Sequence, residues 1–158
     1  MDLRLESIPQ KNPLIKNLWL GIGCKSGIST ELLLTAVDQV CRNYELRLAA
    51  IAGIATIDIK AREIGLVEFC RSRGLPLTTF PAEMLSQVVV PHGDMAIAKI
   101  VGTPSVAEAA AILAASQTNL AVKLIVPKQI IRLPEQPGAV TIAVAQTLLT
   151  NDPPNFRF

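Results

Sequence analysis

Short apolar runs alternate with segments of helical periodicity along this chain. Residues 18–23 are mostly apolar and are predicted to form a buried strand. Residues 29–43 are predicted to form a helix, because their apolar positions recur with the spacing of one helical face. These positions are Leu32, Leu33, Ala36, Val37 and Val40. A strand that leads through a glycine loop into a helix is typical of α/β proteins.

The same alternation continues to the end of the chain. The remaining predicted elements are a strand at 50–56, a helix at 63–73 that stops before Gly74 and Pro76, a strand at 76–80, a helical turn at 81–87, a helix that begins at Ser105, and strands at 120–126 and 139–145. Ser105 and Glu108 have the spacing of a capping box. Pro127 and Lys128 are expected to end the strand at 120–126, which would pair with 139–145 as a hairpin.

This order of elements predicts the fold class. Strands that alternate with helices indicate an α/β protein, here a three-layer α/β/α sandwich. The last two strands follow each other without a helix, so the sheet of about five strands is expected to be mixed, though mostly parallel. Residues 17–147 are predicted to form a single domain, with residues 1–16 as a flexible N-terminal arm and residues 148–158 as a tail.

Composition excludes several classes of function. Only 4% of the 158 residues are aromatic and the net charge is +2, so nothing favours nucleic-acid binding. No apolar run is long enough to cross a membrane, and the N-terminus does not resemble a signal peptide. Cys24, Cys41 and Cys70 form no CxxC pair, which indicates a reduced, cytoplasmic protein. These scattered thiols and one histidine do not make a metal site, so no metal and no cofactor are predicted.

The glycine loop is the first candidate site. Gly21, Gly23 and Gly27 permit a tight turn or a close approach of a ligand to the backbone. Ser29 is placed to cap the following helix, whose free N–H groups, beside Lys25, would attract an anion. The spacing resembles a dinucleotide-binding fingerprint, but the third glycine is not at its usual place and no acidic residue follows for a ribose.

Three further polar loops follow predicted strands or open a helix, at 58–63, 102–105 and 127–128. In open α/β sheets, ligands bind outside the carboxyl ends of strands. Asp58 and Glu63 are candidates for general acid or base, although ordinary positions at a strand exit and in a first helical turn explain them equally well. Lys60 would supply a positive charge. The residues predicted to bind the ligand are Gly21, Gly23, Cys24, Lys25, Gly27, Ser29, Gly102, Thr103, Ser105 and Lys128.

Cys24 is a candidate nucleophile, because a helix N-terminus and a neighbouring cation lower the pKa of a thiol. The only histidine, His92, lies far away in the sequence, so packing beneath the loop is the alternative role for Cys24.

Four motifs together resemble one family. They are GIGCKSGIS at 21–29, IATIDIKAREIGL at 54–66, VGTPSVAEAA at 101–110, and the Pro127-Lys128 pair followed by VTIAVA at 140–145. In this order they resemble the CobE family, which is similar to the C-terminal domain of CbiG, a protein of cobalamin biosynthesis. The resemblance covers residues 17–146.

This resemblance implies a role in building the corrin ring, with a precorrin or cobalt-precorrin as the tetrapyrrole ligand. CbiG opens the δ-lactone of a cobalt-precorrin and releases a two-carbon fragment as acetaldehyde; any cobalt would arrive with the macrocycle. CbiG also has an N-terminal domain to which this sequence shows no counterpart. A separate CbiG N-terminal half, or another corrin-pathway enzyme, is therefore an implied partner.

Two functions follow as hypotheses. In the first, the chain binds the tetrapyrrole intermediate or a pathway enzyme and does no chemistry alone. In the alternative, it is a cobalt-precorrin-5A hydrolase in which Asp58, Lys60 and Glu63 assist water attack or the retro-aldol step. The lack of a convincing nucleophile–base pair in the sequence favours binding.

Overall fold

A five-stranded sheet forms the centre of the fold in the computed structural model, which describes residues 15–89, 105–117 and 120–148. Its strands are β1 (Leu18–Cys24), β2 (Ile51–Ile57), β3 (Leu77–Phe80), β4 (Val122–Ile131) and β5 (Val140–Thr147). The order across the sheet is β3-β2-β1-β5-β4. β1, β2 and β3 are parallel, whereas β5 is antiparallel to both of its neighbours, β1 and β4. β4 therefore runs in the same direction as β1, and the predicted mixed, mostly parallel sheet is confirmed.

Helices cover both faces of the sheet. They are α1 (Thr30–Asn43), α2 (Ile64–Arg73), α3 (Ala82–Leu85) and α4 (Val106–Ala115), with short 3₁₀ turns at Leu48–Ala50 and Asp58–Lys60. α1 and α2 share the main apolar core with one face of the sheet, while α4 packs on the opposite face. The three-layer α/β/α prediction is therefore correct. Among the described residues, no helix is long and apolar enough to cross a membrane.

Alternation along β1 separates these two layers, because successive side chains of a strand point to opposite faces. Leu20 and Ile22 are buried in the core beneath α1 and α2. Trp19 packs on the side of α4. Gly21, between Leu20 and Ile22, lies directly under the backbone of α4: a Cβ atom added there would fall 1.8 Å from the carbonyl oxygen of Ala107. The absence of a side chain at position 21 allows the helix to approach this closely.

The end of β4 differs from its prediction. The strand does not stop at Val126 but continues through Pro127 and Lys128 to Ile131. Val126 pairs with Val144 and Gln129 pairs with Ile142, so β4 holds one extra residue in this interval and forms a bulge. A proline is tolerated there because β4 is an edge strand of the described sheet and loses no ladder hydrogen bond on its outer side.

Candidate functional site

The carboxyl ends of β1, β2, β3 and β4 gather at one edge of the sheet, as their common direction requires. We call this the carboxyl edge. The loops at this edge are the glycine loop (residues 25–29), the segment 58–63 and the loop between β4 and β5 (residues 132–139, the hairpin loop). Ligands of open α/β sheets bind at this type of edge. Two of the four loops singled out in the sequence therefore meet here.

A cleft of about 310 Å³ opens at the carboxyl edge, and we call it the edge cleft. Its lining residues are Gly23, Cys24, Lys25, Ile130, Arg132, Gly138, Ala139 and Thr141. The lining combines two cations with small and aliphatic groups. In the described part of the chain, the ion pairs are Arg42–Asp38 and Arg71–Glu68, so neither Lys25 nor Arg132 is neutralised by a carboxylate there. The edge cleft is therefore suited to an anionic ligand with apolar parts.

The glycine loop is held by the segment that follows β2. The backbone N–H of Gly27, where φ is +85°, donates to Glu63 Oε2 at 2.6 Å. Lys60 Nζ donates to Ser26 Oγ at 3.4 Å. The glycine loop therefore binds a carboxylate through its backbone, as the sequence predicted for this loop. The carboxylate is the side chain of Glu63, a residue of the protein and not a ligand.

Among the predicted catalytic residues, Lys60 and Glu63 adjoin the glycine loop, as their contacts with it show. Asp58 opens the 3₁₀ turn, where its side chain is exposed and its carbonyl accepts the N–H of Ala61. The Glu63 carboxylate accepts the Gly27 N–H, so in this structure its contact positions the glycine loop. Across the described residues, no group of three or more histidine, cysteine or acidic side chains could hold a metal ion.

Cys24 ends β1 and lines the edge cleft. Burial raises the pKa of its thiol above the ordinary value, the charge of Lys60 lowers it, and the charge of Glu63 raises it further. The net direction is upward, which opposes the formation of a nucleophilic thiolate near neutral pH. His92, the other member of the Cys–His pair considered from the sequence, lies outside the described residues.

Ser29 connects the glycine loop with the hairpin loop. Its Oγ accepts the N–H of Leu32 at 2.9 Å, which confirms its predicted role as the N-cap of α1. The same hydroxyl donates to Gln136 Oε1 at 2.6 Å. Gln136 Nε2 in turn donates to Glu31 Oε1 at 3.1 Å. Gln136 therefore links the hairpin loop to the cap and the first turn of α1.

At the start of α4, Ser105 Oγ accepts the N–H of Glu108 at 3.0 Å and confirms the predicted cap. The Glu108 carboxylate contacts both its own cap and the sheet: its Oε1 accepts from Ser105 Oγ at 3.3 Å, and its Oε2 accepts the N–H of Lys128 at 3.0 Å. Glu108 is only 5% exposed. Its hydrogen bond with the Lys128 N–H joins α4 to the bulge of β4. Lys128 lies inside β4, so its predicted position in a loop at a strand end was wrong; Pro127 does not end this strand.

The remaining predicted residues fall in different places. Gly23 lines the edge cleft, whereas Gly21 is buried beneath α4 and has a packing role. Gly102 and Thr103 lie outside the described residues. The sequence prediction missed Arg132, because it ended this strand at Val126, whereas the strand continues to Ile131. A cation directly after a strand is the signal that the correct strand end would have revealed.

Fold and site together define a class of three-layer α/β proteins with a mixed sheet and a cationic cleft at its carboxyl edge. A family model described as cobalamin synthesis G C-terminus matches residues 18–145. The chain therefore belongs to the CbiG C-terminal family, and the resemblance seen in its motifs is confirmed.

Two solved structures are similar over most of their own length. The first is CobE, a protein from the cobalamin (vitamin B12) biosynthetic pathway, with 28% identity, a TM-score of 0.64, and coverage of 90% of this chain and 100% of that chain. The second is the cobalamin biosynthesis protein chiG from Agrobacterium tumefaciens, with 28% identity, a TM-score of 0.60, and coverage of 82% and 98%.

Two longer proteins match only in part. A protein described as cobalt-precorrin-5A hydrolase, from Priestia megaterium, is 25% identical over 130 residues, which are 82% of this chain and 32% of that protein. The chain thus spans about a third of the length of this relative. A cobalamin biosynthesis protein G homologue from Sulfolobus solfataricus shares the fold, with 20% identity, a TM-score of 0.58, and coverage of 84% and 37%.

Proposed function

We propose that this chain binds a carboxylate-bearing tetrapyrrole, a precorrin or cobalt-precorrin, at the edge cleft. The observation that carries the proposal is the pair of cations, Lys25 and Arg132, on the wall of a cleft at the carboxyl edge. Membership of the CbiG C-terminal family supports the choice of a corrin precursor over other anions. The likeness to CobE over the whole of that protein supports it further.

The chemistry of the cleft matches such a ligand. Acetate and propionate groups surround a precorrin, and Arg132 can hold one of these carboxylates with two parallel hydrogen bonds while Lys25 acts as a point charge. Ile130 is 58% exposed and, with Ala139, offers aliphatic surface to the ring. A volume of about 310 Å³ is at the small end of ligand pockets, so the cleft accommodates one edge of the macrocycle and leaves the rest outside.

The test is a spectral titration of the protein with uroporphyrin, a stable tetrapyrrole with many carboxylates, and then with cobalt-precorrin-5A. Lys25→Ala and Arg132→Ala are each expected to weaken binding by about tenfold, since each removes a charge-assisted hydrogen bond. The matched controls are Lys123→Ala, in the first half of β4, and Arg71→Ala, on α2. Both controls should bind like the wild type.

Salt provides an independent check of the same proposal. Binding through partly exposed cations should weaken as ionic strength rises, because salt screens exposed charges. An unchanged spectrum at high ligand concentration would contradict the proposal, as would equal losses in the cleft variants and their controls.

A second candidate function is hydrolysis of a cobalt-precorrin lactone, which the similarity to the Priestia megaterium hydrolase favours. Water would add to the lactone carbonyl, yielding a carboxylate and a hydroxyl group, and the two-carbon fragment would then leave as acetaldehyde. Lys60 and Asp58 lie on the segment beside the glycine loop, where they could assist. Glu63 would have to exchange its bond with Gly27 for a bond to water.

An acetaldehyde assay separates the two candidates. The chain alone, mixed with cobalt-precorrin-5A, should bind the compound without releasing acetaldehyde if it only binds. Release that is lost in Lys60→Ala and kept in Lys123→Ala would establish the hydrolase. Because the chain spans about a third of that hydrolase, the assay is repeated with a separate protein that supplies the remaining length, which is the partner that we propose for an active complex.

A further inference from the structure

The structure assigns a positioning role to Gln136: we infer that it fastens the hairpin loop to the start of α1 and so holds the cationic wall of the edge cleft in place. The inference concerns the same site as the proposed function, and its importance for ligand binding rests on that function. The mechanical part, that Gln136 keeps the cleft narrow, can be tested without any ligand.

Both the oxygen and the nitrogen of the Gln136 side-chain amide form hydrogen bonds with the start of α1. Its Oε1 accepts from Ser29 Oγ at 2.6 Å, and its Nε2 donates to Glu31 Oε1 at 3.1 Å. Ser29 and Glu31 belong to the cap and the first turn of α1, which packs firmly in the core through Leu32 and Leu33. The contacts therefore join a loop to a rigid element, across more than a hundred residues of sequence.

The hairpin loop has few other attachments. Leu133 packs against the main core, and the N–H of Gln136 donates to the Leu133 carbonyl at 3.2 Å within the loop itself. Gly138, with φ at +87°, lets the chain turn back into β5. Between these points, no other side-chain hydrogen bond joins the described residues of the loop to the rest of the described fold. Gln136 is thus the polar attachment on which the position of the loop depends.

The residues on either side of this attachment line the cleft. Arg132 precedes the loop's turn, and Gly138 and Ala139 follow it; all three belong to the lining of the edge cleft together with Cys24 and Lys25. Release of Gln136 would let this wall move away from the opposite wall. The distance between Arg132 and Lys25, and with it the fit to two carboxylates of one ligand, would no longer be fixed.

Cys24 reports on this movement without a ligand, because it lines the cleft and is partly exposed, whereas Cys41 and Cys70 are buried. Gln136→Ala is expected to raise the alkylation rate of Cys24 about five- to tenfold, the equivalent of one or two ordinary hydrogen bonds. Gln129→Ala is the matched control, because within the described fold the side-chain amide of Gln129 donates to the carbonyls of Pro127 and Lys128 in its own strand and not to α1. Its rate should equal that of the wild type.

A charge exchange tests the specific contact. Gln136→Glu keeps the acceptor for Ser29 but removes the donor to Glu31 and sets two carboxylates against each other, so it should behave like Gln136→Ala. Adding Glu31→Gln restores one donor and one acceptor in reversed positions and should return the alkylation rate to that of the wild type. A role of Gln136 in general stability alone would not produce this rescue. Rates are compared at several pH values, since altered access scales the whole profile whereas an altered thiol pKa shifts it.

Each outcome decides one of the two claims. If Cys24 reacts equally fast in the wild type and in Gln136→Ala, or if the charge exchange gives no rescue, the inference is overturned. If the variant also exposes Cys41 and Cys70, the protein has unfolded, and the charge exchange alone decides. If the wild type fails to bind uroporphyrin and cobalt-precorrin-5A while the Cys24 alkylation rates behave as expected, the proposed function is refuted and the positioning role of Gln136 is supported. With binding present, Gln136→Ala should weaken it by about fivefold.

Discussion

Substitution of Gly21 by alanine tests how closely α4 packs on β1. The added Cβ would lie 1.8 Å from the carbonyl oxygen of Ala107 and 2.8 Å from the amide nitrogen of Ala111. Both neighbours are backbone atoms of a helix, so no side-chain rotation can relieve the overlap. The whole of α4 has to withdraw from the sheet by about 1.2 Å or more before the closest contact becomes tolerable.

The expected cost follows from that displacement. Overpacking of a well-packed interior typically costs about 1–3 kcal/mol, and a shift of an entire helix puts Gly21→Ala at the upper end, at about 3 kcal/mol. The gain from replacing a strand glycine by alanine offsets only about 0.5–1 kcal/mol. For a chain of this size, a net loss of about 2–2.5 kcal/mol lowers the melting temperature by roughly 4–10 °C.

Gly23→Ala is the matched control, two residues further along the same face of β1. Its Cβ would meet Thr141 Cβ at 3.8 Å and Val106 Cβ at 3.9 Å, which are ordinary contacts. Urea denaturation followed by circular dichroism should show a large loss of stability for Gly21→Ala and little change for Gly23→Ala. Equal unfolding midpoints for the two variants would refute the reasoning, because space above the strand would then not distinguish them.

Two further predictions concern buried groups. Glu108→Ala should destabilise the fold by about 2 kcal/mol in urea denaturation, because it leaves the Lys128 N–H without its acceptor, whereas the exposed Glu68→Ala should cost much less. Burial raises the pKa of the Cys70 thiol to about 11 in the folded protein, above its pKa in the unfolded chain. The thiol therefore stabilises the fold at pH values below the pKa of the unfolded chain, and this contribution is lost as the pH rises through about 11. The fall in urea midpoint on the alkaline side should therefore be shallower in Cys70→Ala than in the wild type, and parallel curves for the two proteins would contradict this.

Much of the fold follows from local sequence signals. The helix at α1 is defined by its apolar face and the Ser29 cap, and α2 ends at Gly74, whose φ of +65° suits glycine. The mixed sheet follows from two successive strands without a helix between them. The end of β4 cannot be predicted in the same way, because proline ends a strand only where the sheet needs a backbone N–H donor at that position. Whether Pro127 lies at an edge depends on strand order, which is a tertiary property.

The sequence predicts which loops form the site, but it does not predict the hydrogen-bond partners of their side chains. The fold rule for open sheets brings the glycine loop and the segment 58–63 together, and the structure agrees. No spacing in the sequence could indicate that Glu63 accepts the Gly27 N–H, or that Glu108 reaches Lys128 as well as the Ser105 cap of its own helix. Such contacts depend on side-chain packing between distant segments.

The two carboxylates near α1 explain why the cleft keeps its positive character although acids surround it. Glu63 is bound to the backbone of Gly27 and Glu31 to the amide of Gln136, so each is directed at a loop rather than at a cation of the cleft. Lys25 and Arg132 have no ion pair with described residues. The acids thus shape the loops while the cations remain available to an anionic ligand. If Glu63 or Glu31 were released, it would become a competitor for these cations, and a ligand would then have to displace a carboxylate of the protein before it could bind.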